Sequence, residues 1–191
     1  MPTPTPAPQP AEPMFAPLAG FLSYLVPGLG QIYQGRGGKG FLFLFCLYGL
    51  FFFGMAQGGW ANVYLPDTAE ANNPWRLPEL AANVFNRPQF AGQFWIGIAA
   101  WPALWQYHTF DSRQNAGPIF GTYQRAPISE QVLNDLQRKS DKTWDLAWVY
   151  TVIAGVLNIL VIYDAVAGPA FGPPAPATAR QQAPAREAVT A

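Results

Sequence analysis

Few residues in this 191-residue chain carry groups that do chemistry, and most of them stand alone. His108 is the only histidine. With Asp111 three positions on, it has the minimum needed for a general base. No serine or cysteine stands in a context that suggests a nucleophile, and no histidine, cysteine and carboxylate fall at metal-ligand spacing. A solvated His108 is the simpler reading, so no enzyme, cofactor or metal is expected. Cys46, the single cysteine, cannot form an intramolecular disulfide. Gly35, Arg36, Gly37, Gly38, Lys39 and Gly40 look superficially like a phosphate loop. Such a loop needs a hydroxyl after its lysine and a strand before it. Here Gly40 follows Lys39 and an apolar run precedes, so the stretch reads as a tight turn. Two polar residues remain inside apolar sequence. Asn158 suits a hydrogen bond between helices. Asp164 reads as a hydrated carboxylate at an interface, or as part of an ion pathway if it lies deeper.

The elements that would hold these groups are unusually apolar. Half of the residues are hydrophobic and 12% are charged, against roughly 25% charged in soluble domains. Four blocks approach the ~20 residues that cross a bilayer as a helix: 15–33, 41–60, 90–107 and 144–163. The fold class expected is an all-α integral membrane protein, a bundle of four transmembrane helices or of three plus a re-entrant hairpin. It would occupy residues 14–167, between Pro/Ala-rich disordered tails at 1–13 and 168–191. The first tail lacks the positive charge that opens a signal peptide.

The first block is interrupted by Pro27, Gly28 and Gly30. Without an N–H on Pro27, the carbonyl of Ser23 loses its helical partner. Either a kinked helix crosses fully, or the chain turns back after about Val26. The block at 41–60 is apolar on every side, and Gly54 with Gly58 suits close contact with another helix or a fraying end. The block at 90–107 carries Trp95, Trp101 and Trp105, with a kink expected at Pro102. In 144–163 the small residues Ala147, Thr151 and Gly155 recur every four positions and give a smooth face. A contact of that face with Gly30 is expected. Between blocks, residues 77–85 suggest a short surface helix. Residues 129–139 suggest an amphipathic one, with Ile128, Val132, Leu133 and Leu136 on one face. Counting Lys and Arg in short loops puts 34–40 and 108–143 in the cytoplasm, and 61–89 with the C-terminus outside.

The stretch from Pro27 and Gly28 through Gly30, Tyr33 and Gly35 resembles the hairpin turn of the two-transmembrane-helix domain, at Gly30, Tyr33 and Gly35. It is also similar to a set of small bacterial multispan proteins of unknown function. That second resemblance covers the Pro-Gly-Leu-Gly-Gln-x-Tyr-x-Gly stretch and, later, residues 154–160 with Tyr163, Asp164, Ala165, Gly168 and Pro169. It implies a bacterial cytoplasmic membrane and brings no activity.

The function expected is non-enzymatic: a small subunit or scaffold that packs in the lipid bilayer with a membrane-protein partner or with itself. The alternative is a component of a solute, ion or lipid transport system that uses the broken first helix. Zero net charge argues for no nucleic acid. Pro27, Gly28, Gly30, Tyr33, Gly35, Gly155, Asn158 and Asp164 are the candidate structural or interaction residues.

Overall fold

A computed structural model describes residues 16–65, 80–81, 83–84, 87–109, 120–127, 131, 134–135, 138 and 142–168. Both tails and most of the two long connections lie outside the described residues. The described residues are mainly helical. The helices are α1 (Pro17–Leu25), α2 (Leu29–Tyr33), α3 (Gly37–Gln57), α4 (Pro88–Phe94), α5 (Trp101–Thr109) and α6 (Thr143–Ala167), with a 3₁₀ turn at Ile98–Ala100 before α5.

Among the described residues, α3 and α6, of 21 and 25 residues, are the helices long and apolar enough to cross a membrane. They lie antiparallel. Lys39, in the first turn of α3, reaches Asp164 near the end of α6. At the other end of the pair, Gly54 packs against Ala147 and Thr151. We call these the turn end and the loop end.

The two remaining blocks do not run through, which corrects the expectation of four full spans. Pro17 starts α1 at a position where its missing N–H costs nothing. Pro27 cannot donate to the Ser23 carbonyl, so α1 stops. Val26 is extended and Gly28 takes φ +86°, a conformation natural to glycine. The chain then returns as α2. Gly30 of α2 lies so close to α1 that a Cβ would collide with the Ala19 carbonyl. The first block thus turns back after Val26 rather than running on as a kinked helix.

The third block repeats the device from the opposite end. Pro88 starts α4, and Gly97 breaks the chain at φ +85°, ψ −136°. Here it is Gly97 that ends the run, and Pro102 lies at the second position of α5, where it starts a helix rather than kinking one. Hairpin and long helix therefore occur twice, α1–α2–α3 and α4–α5–α6, in opposite directions.

These hairpins change the expected sidedness. The N–H of Gln124 donates to the Trp60 carbonyl at 2.8 Å, and the Trp60 and Tyr123 rings lie 6.2 Å apart. Residues 120–125 thus share the loop end with the start of 61–89. The end of α6 shares the turn end with residues 34–40. Among the described residues these contacts group 120–125 with the start of 61–89, and 34–40 with the end of α6. They differ from the expected grouping of 34–40 with 108–143 and 61–89 with the C-terminus, because the third block turns back at Gly97.

The core joins Leu47, Phe51 and Met55 of α3 to Phe90, Ile96, Ala100, Ala103 and Tyr107 of the second hairpin and Ala154 and Val161 of α6. Leu80, Ala81, Asn83 and Val84 are helical, as are Gln131, Asn134, Asp135 and Arg138, which are exposed. The apolar positions expected on that second helix lie outside the described residues.

Candidate functional site: where two broken helices meet

At ~1.5 Å per residue, α1 with 9 residues and α4 with 7 are about 14 and 10 Å long. They enter from opposite ends and meet. Gly97 sits against the carbonyls of Tyr24 and Leu25, closely enough that any side chain would collide with both. The Tyr24 ring packs on Phe94 and Trp95 at centroid distances of 5.8 and 6.2 Å. A helix's last carbonyls have no partner in the helix itself, so two such ends in an apolar interior need donors.

Asn158 provides them. Its Nδ2 donates to the Ser23 carbonyl at 3.1 Å and to the Trp95 carbonyl at 2.8 Å. One amide, fully buried midway along α6, thus caps both broken helices. Its Oδ1 is buried and has no partner. The sequence marks one half of this site, since Pro27 predicts that the Ser23 carbonyl is left free. Trp95 carries no comparable signal.

Polar side chains continue from Asn158 toward the turn end. Ser23 Oγ donates to Gln31 Oε1 at 3.0 Å and accepts from the Gly30 N–H at 3.1 Å. Gln31 Nε2 donates to the Val161 carbonyl and to Asp164 Oδ2, at 2.8 and 3.1 Å. Asp164 receives Arg36 at 3.0 Å and Lys39 at 2.6 Å. It keeps about a quarter of its side chain exposed at the end of α6 and is also the counter-ion of the turn, a partnership the sequence did not indicate. Gln34 Nε2 donates to the Ala165 carbonyl at 2.6 Å. The turn's donors and positive charges thus lie against the carbonyl end of α6, where the helix dipole favours them.

Toward the loop end, Gln93 Nε2 donates to Thr151 Oγ1 at 2.8 Å and reaches the Asn62 carbonyl at 3.4 Å. Gly155 lies against the Gly92 carbonyl of α4. The face of Ala147, Thr151 and Gly155 is thus divided between α3 and α4. The expected contact of Gly30 with Gly155 is not made, because α2 folds onto α1 and α3 instead. Gly28 packs on the backbone of Gly40.

Of the candidate residues, Pro27, Gly28, Gly30, Asn158 and Asp164 belong to one connected site. Gly155 supports the second hairpin, while Tyr33 and Gly35 are exposed at the turn. Sequence reasoning missed Ser23 and Gln31 as side chains, Gln93, Gln124 and Gly97. Gln124 accepts from the Ala103 N–H at 3.0 Å and donates to the Ala99 carbonyl at 2.6 Å, closing the second hairpin's backbone. A glycine inside an apolar run is the one signal Gly97 offered. Among the described residues, no cluster of three or more His, Cys, Asp or Glu residues is placed to hold a metal.

No curated protein and no solved structure matches this chain. A family profile described as a family of unknown function, DUF6677, matches residues 18–177, which contain α3, α6, nearly all of both hairpins and every residue of the site. The chain belongs to that family of unknown function.

Proposed function

We propose that the chain is a non-enzymatic integral membrane protein in which α3 and α6 cross the bilayer and the hairpins enter it from opposite faces. The apolar windows of α3 and α6 are only 28% and 33% buried, whereas a soluble core helix buries most of its surface. Phe41, Leu42, Phe45, Phe53 and Leu160 point outward, and apolar area costs roughly 25 cal/mol per Å² in water. Lipid removes that cost. At the loop end Arg87, Arg125 and Lys142 outnumber Arg36 and Lys39, which already share Asp164. By the excess of positive residues on the inner side, the loop end faces the cytoplasm.

Within that frame the reading favoured is a component that handles a solute or an ion. The observation that carries it is the meeting of two discontinuous helices at mid-depth on Asn158. Transporters build substrate and ion sites from such broken helices, often in inverted repeats. With the tips closed, Asn158 holds the two ends together; parting them frees the carbonyls of Ser23 and Trp95. Purified protein in liposomes should carry a flux of small ions or solutes above that of empty vesicles, and Asn158→Ala should change its rate. Vesicles as tight with the protein as without it would remove this reading.

A second reading, a small subunit or scaffold for another membrane protein, is favoured by the closed interior. Ser23, Gln31, Thr151 and Asn158 have no exposed surface. A stoichiometric membrane partner retained in mild detergent, together with silent liposomes, supports it.

A further inference from the structure

Arg87, just before α4 at the loop end, is the basic side chain whose setting the hairpin architecture leaves unexplained. The face of its guanidinium lies 3.3 Å from the centre of the Tyr64 ring, a cation–π contact. Of the five N–H groups a guanidinium carries, one reaches an acceptor among the described residues, the Asn62 carbonyl at 3.3 Å. Nε is buried without a partner, while the side chain as a whole keeps some surface open. Burial pushes its pKa down to about 10, so it remains charged at neutral pH. Among the described residues the ion pairs are those of Arg36 and Lys39 with Asp164; no carboxylate faces Arg87. A cation this far out of water needs an anion or several acceptors, and Tyr64 satisfies only its face.

We propose that Arg87 anchors an oxyanion site that takes the phosphate of an anionic lipid headgroup. The reading rests on the membrane placement proposed above and not on transport. Arg87 stands at the level of Asn62, which lies just beyond the end of α3 and two positions along the chain from Trp60, where aromatic side chains mark the membrane–water boundary and lipid phosphates lie. A guanidinium edge holds a phosphate through two parallel N–H groups. Tyr64 fixes the plane of that edge.

The test titrates phosphatidylglycerol and phosphatidylcholine onto detergent-solubilised full-length protein, with bound lipid counted by native mass spectrometry. Wild type should prefer phosphatidylglycerol by about ten-fold or more, the scale of one charge-assisted contact. Arg87→Gln should lose most of that preference. Arg87→Lys, which keeps the charge and loses the fork, should lose part of it. Should Arg87→Gln fail to fold, the wild-type melting temperature decides, rising with phosphatidylglycerol and not with phosphatidylcholine. Equal affinity of wild type for the two lipids would overturn the proposal, as would an undiminished preference in Arg87→Gln. Stabilisation by inorganic phosphate alone, with no effect of phosphatidylglycerol, would show a site for free oxyanion and overturn the lipid assignment. Flux measurements do not enter, so silent liposomes leave this result standing.

Discussion

The two hairpins solve one problem with different chemistry. Each starts with a proline at its first helical position, descends through a half-helix, and breaks at a glycine with φ near +85°. In the first hairpin Pro27 creates the break by removing a donor, and the return helix α2 is held by side chains, Ser23 to Gln31 to Asp164. In the second no proline stands at the break. Gly97 turns a backbone that would otherwise continue, and Gln124 from a distant segment satisfies the freed groups at Ala99 and Ala103. A break made by proline carries its own cause, whereas a break made by glycine needs tertiary contacts to select it. The two hairpins should therefore respond differently to substitution.

The largest effect is expected at Gly97. A side chain there meets the carbonyls of Tyr24 and Leu25 and also forces an unfavourable backbone region. Backbone strain alone costs about 1–3 kcal/mol. With the collision added, Gly97→Val should leave no monodisperse folded protein in detergent. Gly97→Ala should still lower the melting temperature clearly. If Gly97→Ala melted like wild type, the tips would not be in the contact described.

Asn158→Leu comes next and strikes both hairpins together. It strands the buried Ser23 carbonyl and the partly buried Trp95 carbonyl at roughly 1 kcal/mol each, so a loss of about 2 kcal/mol is expected. That exceeds the average of about 0.6 kcal/mol for a single interhelical bond. Hydrogen exchange should quicken both at 26–30 and at 96–98. Quickening at one tip alone would show that Asn158 caps only that hairpin.

These two positions also measure what the sequence could reveal. Block lengths and composition give α3 and α6 to within a few residues, because a long helix apolar on every side needs little beyond its own side chains. Pro27 gives the first break, since a missing N–H is a local fact. Asn158 stands out because an amide in an apolar run needs a partner. Its second acceptor, Trp95, was hidden, and so was the break at Gly97. Trp-Ile-Gly-Ile is a reasonable helix sequence until another hairpin presses on it. The sidedness of the loops was lost with that break, because charge counting assumes that every apolar block crosses.

Asp164→Asn should affect the first hairpin and spare the second. Asp164 keeps about a quarter of its side chain exposed, and Arg36 about a third, so solvent weakens the pairs. A loss of about 1 kcal/mol is expected, the upper range for exposed pairs. High salt should shrink the difference between variant and wild type. Exchange should rise among residues 30–40 and stay unchanged at 96–98. A matching rise at the second tip would mean that the hairpins open as one unit, which would strengthen the case for a concerted gate.

The smallest effect contrasts two glycines of α3, one facing α6 and one facing outward. Gly54 faces α6, where a Cβ would meet the Ala147 carbonyl and the side chains of Tyr150 and Thr151 within 3 Å. Gly49 lies in the same helix with open space where its Cβ would be. Alanine is the better helix former by up to about 1 kcal/mol in water. On an outward face in lipid the benefit should be a few tenths of that scale. Gly49→Ala should therefore raise the melting temperature slightly, while Gly54→Ala lowers it by separating α3 from α6. Paired melting curves in one detergent check the sign of each. A Gly49→Ala protein that is destabilised like Gly54→Ala would place a neighbour against the outer face of α3. That face would then belong to a second copy or a partner subunit rather than to lipid.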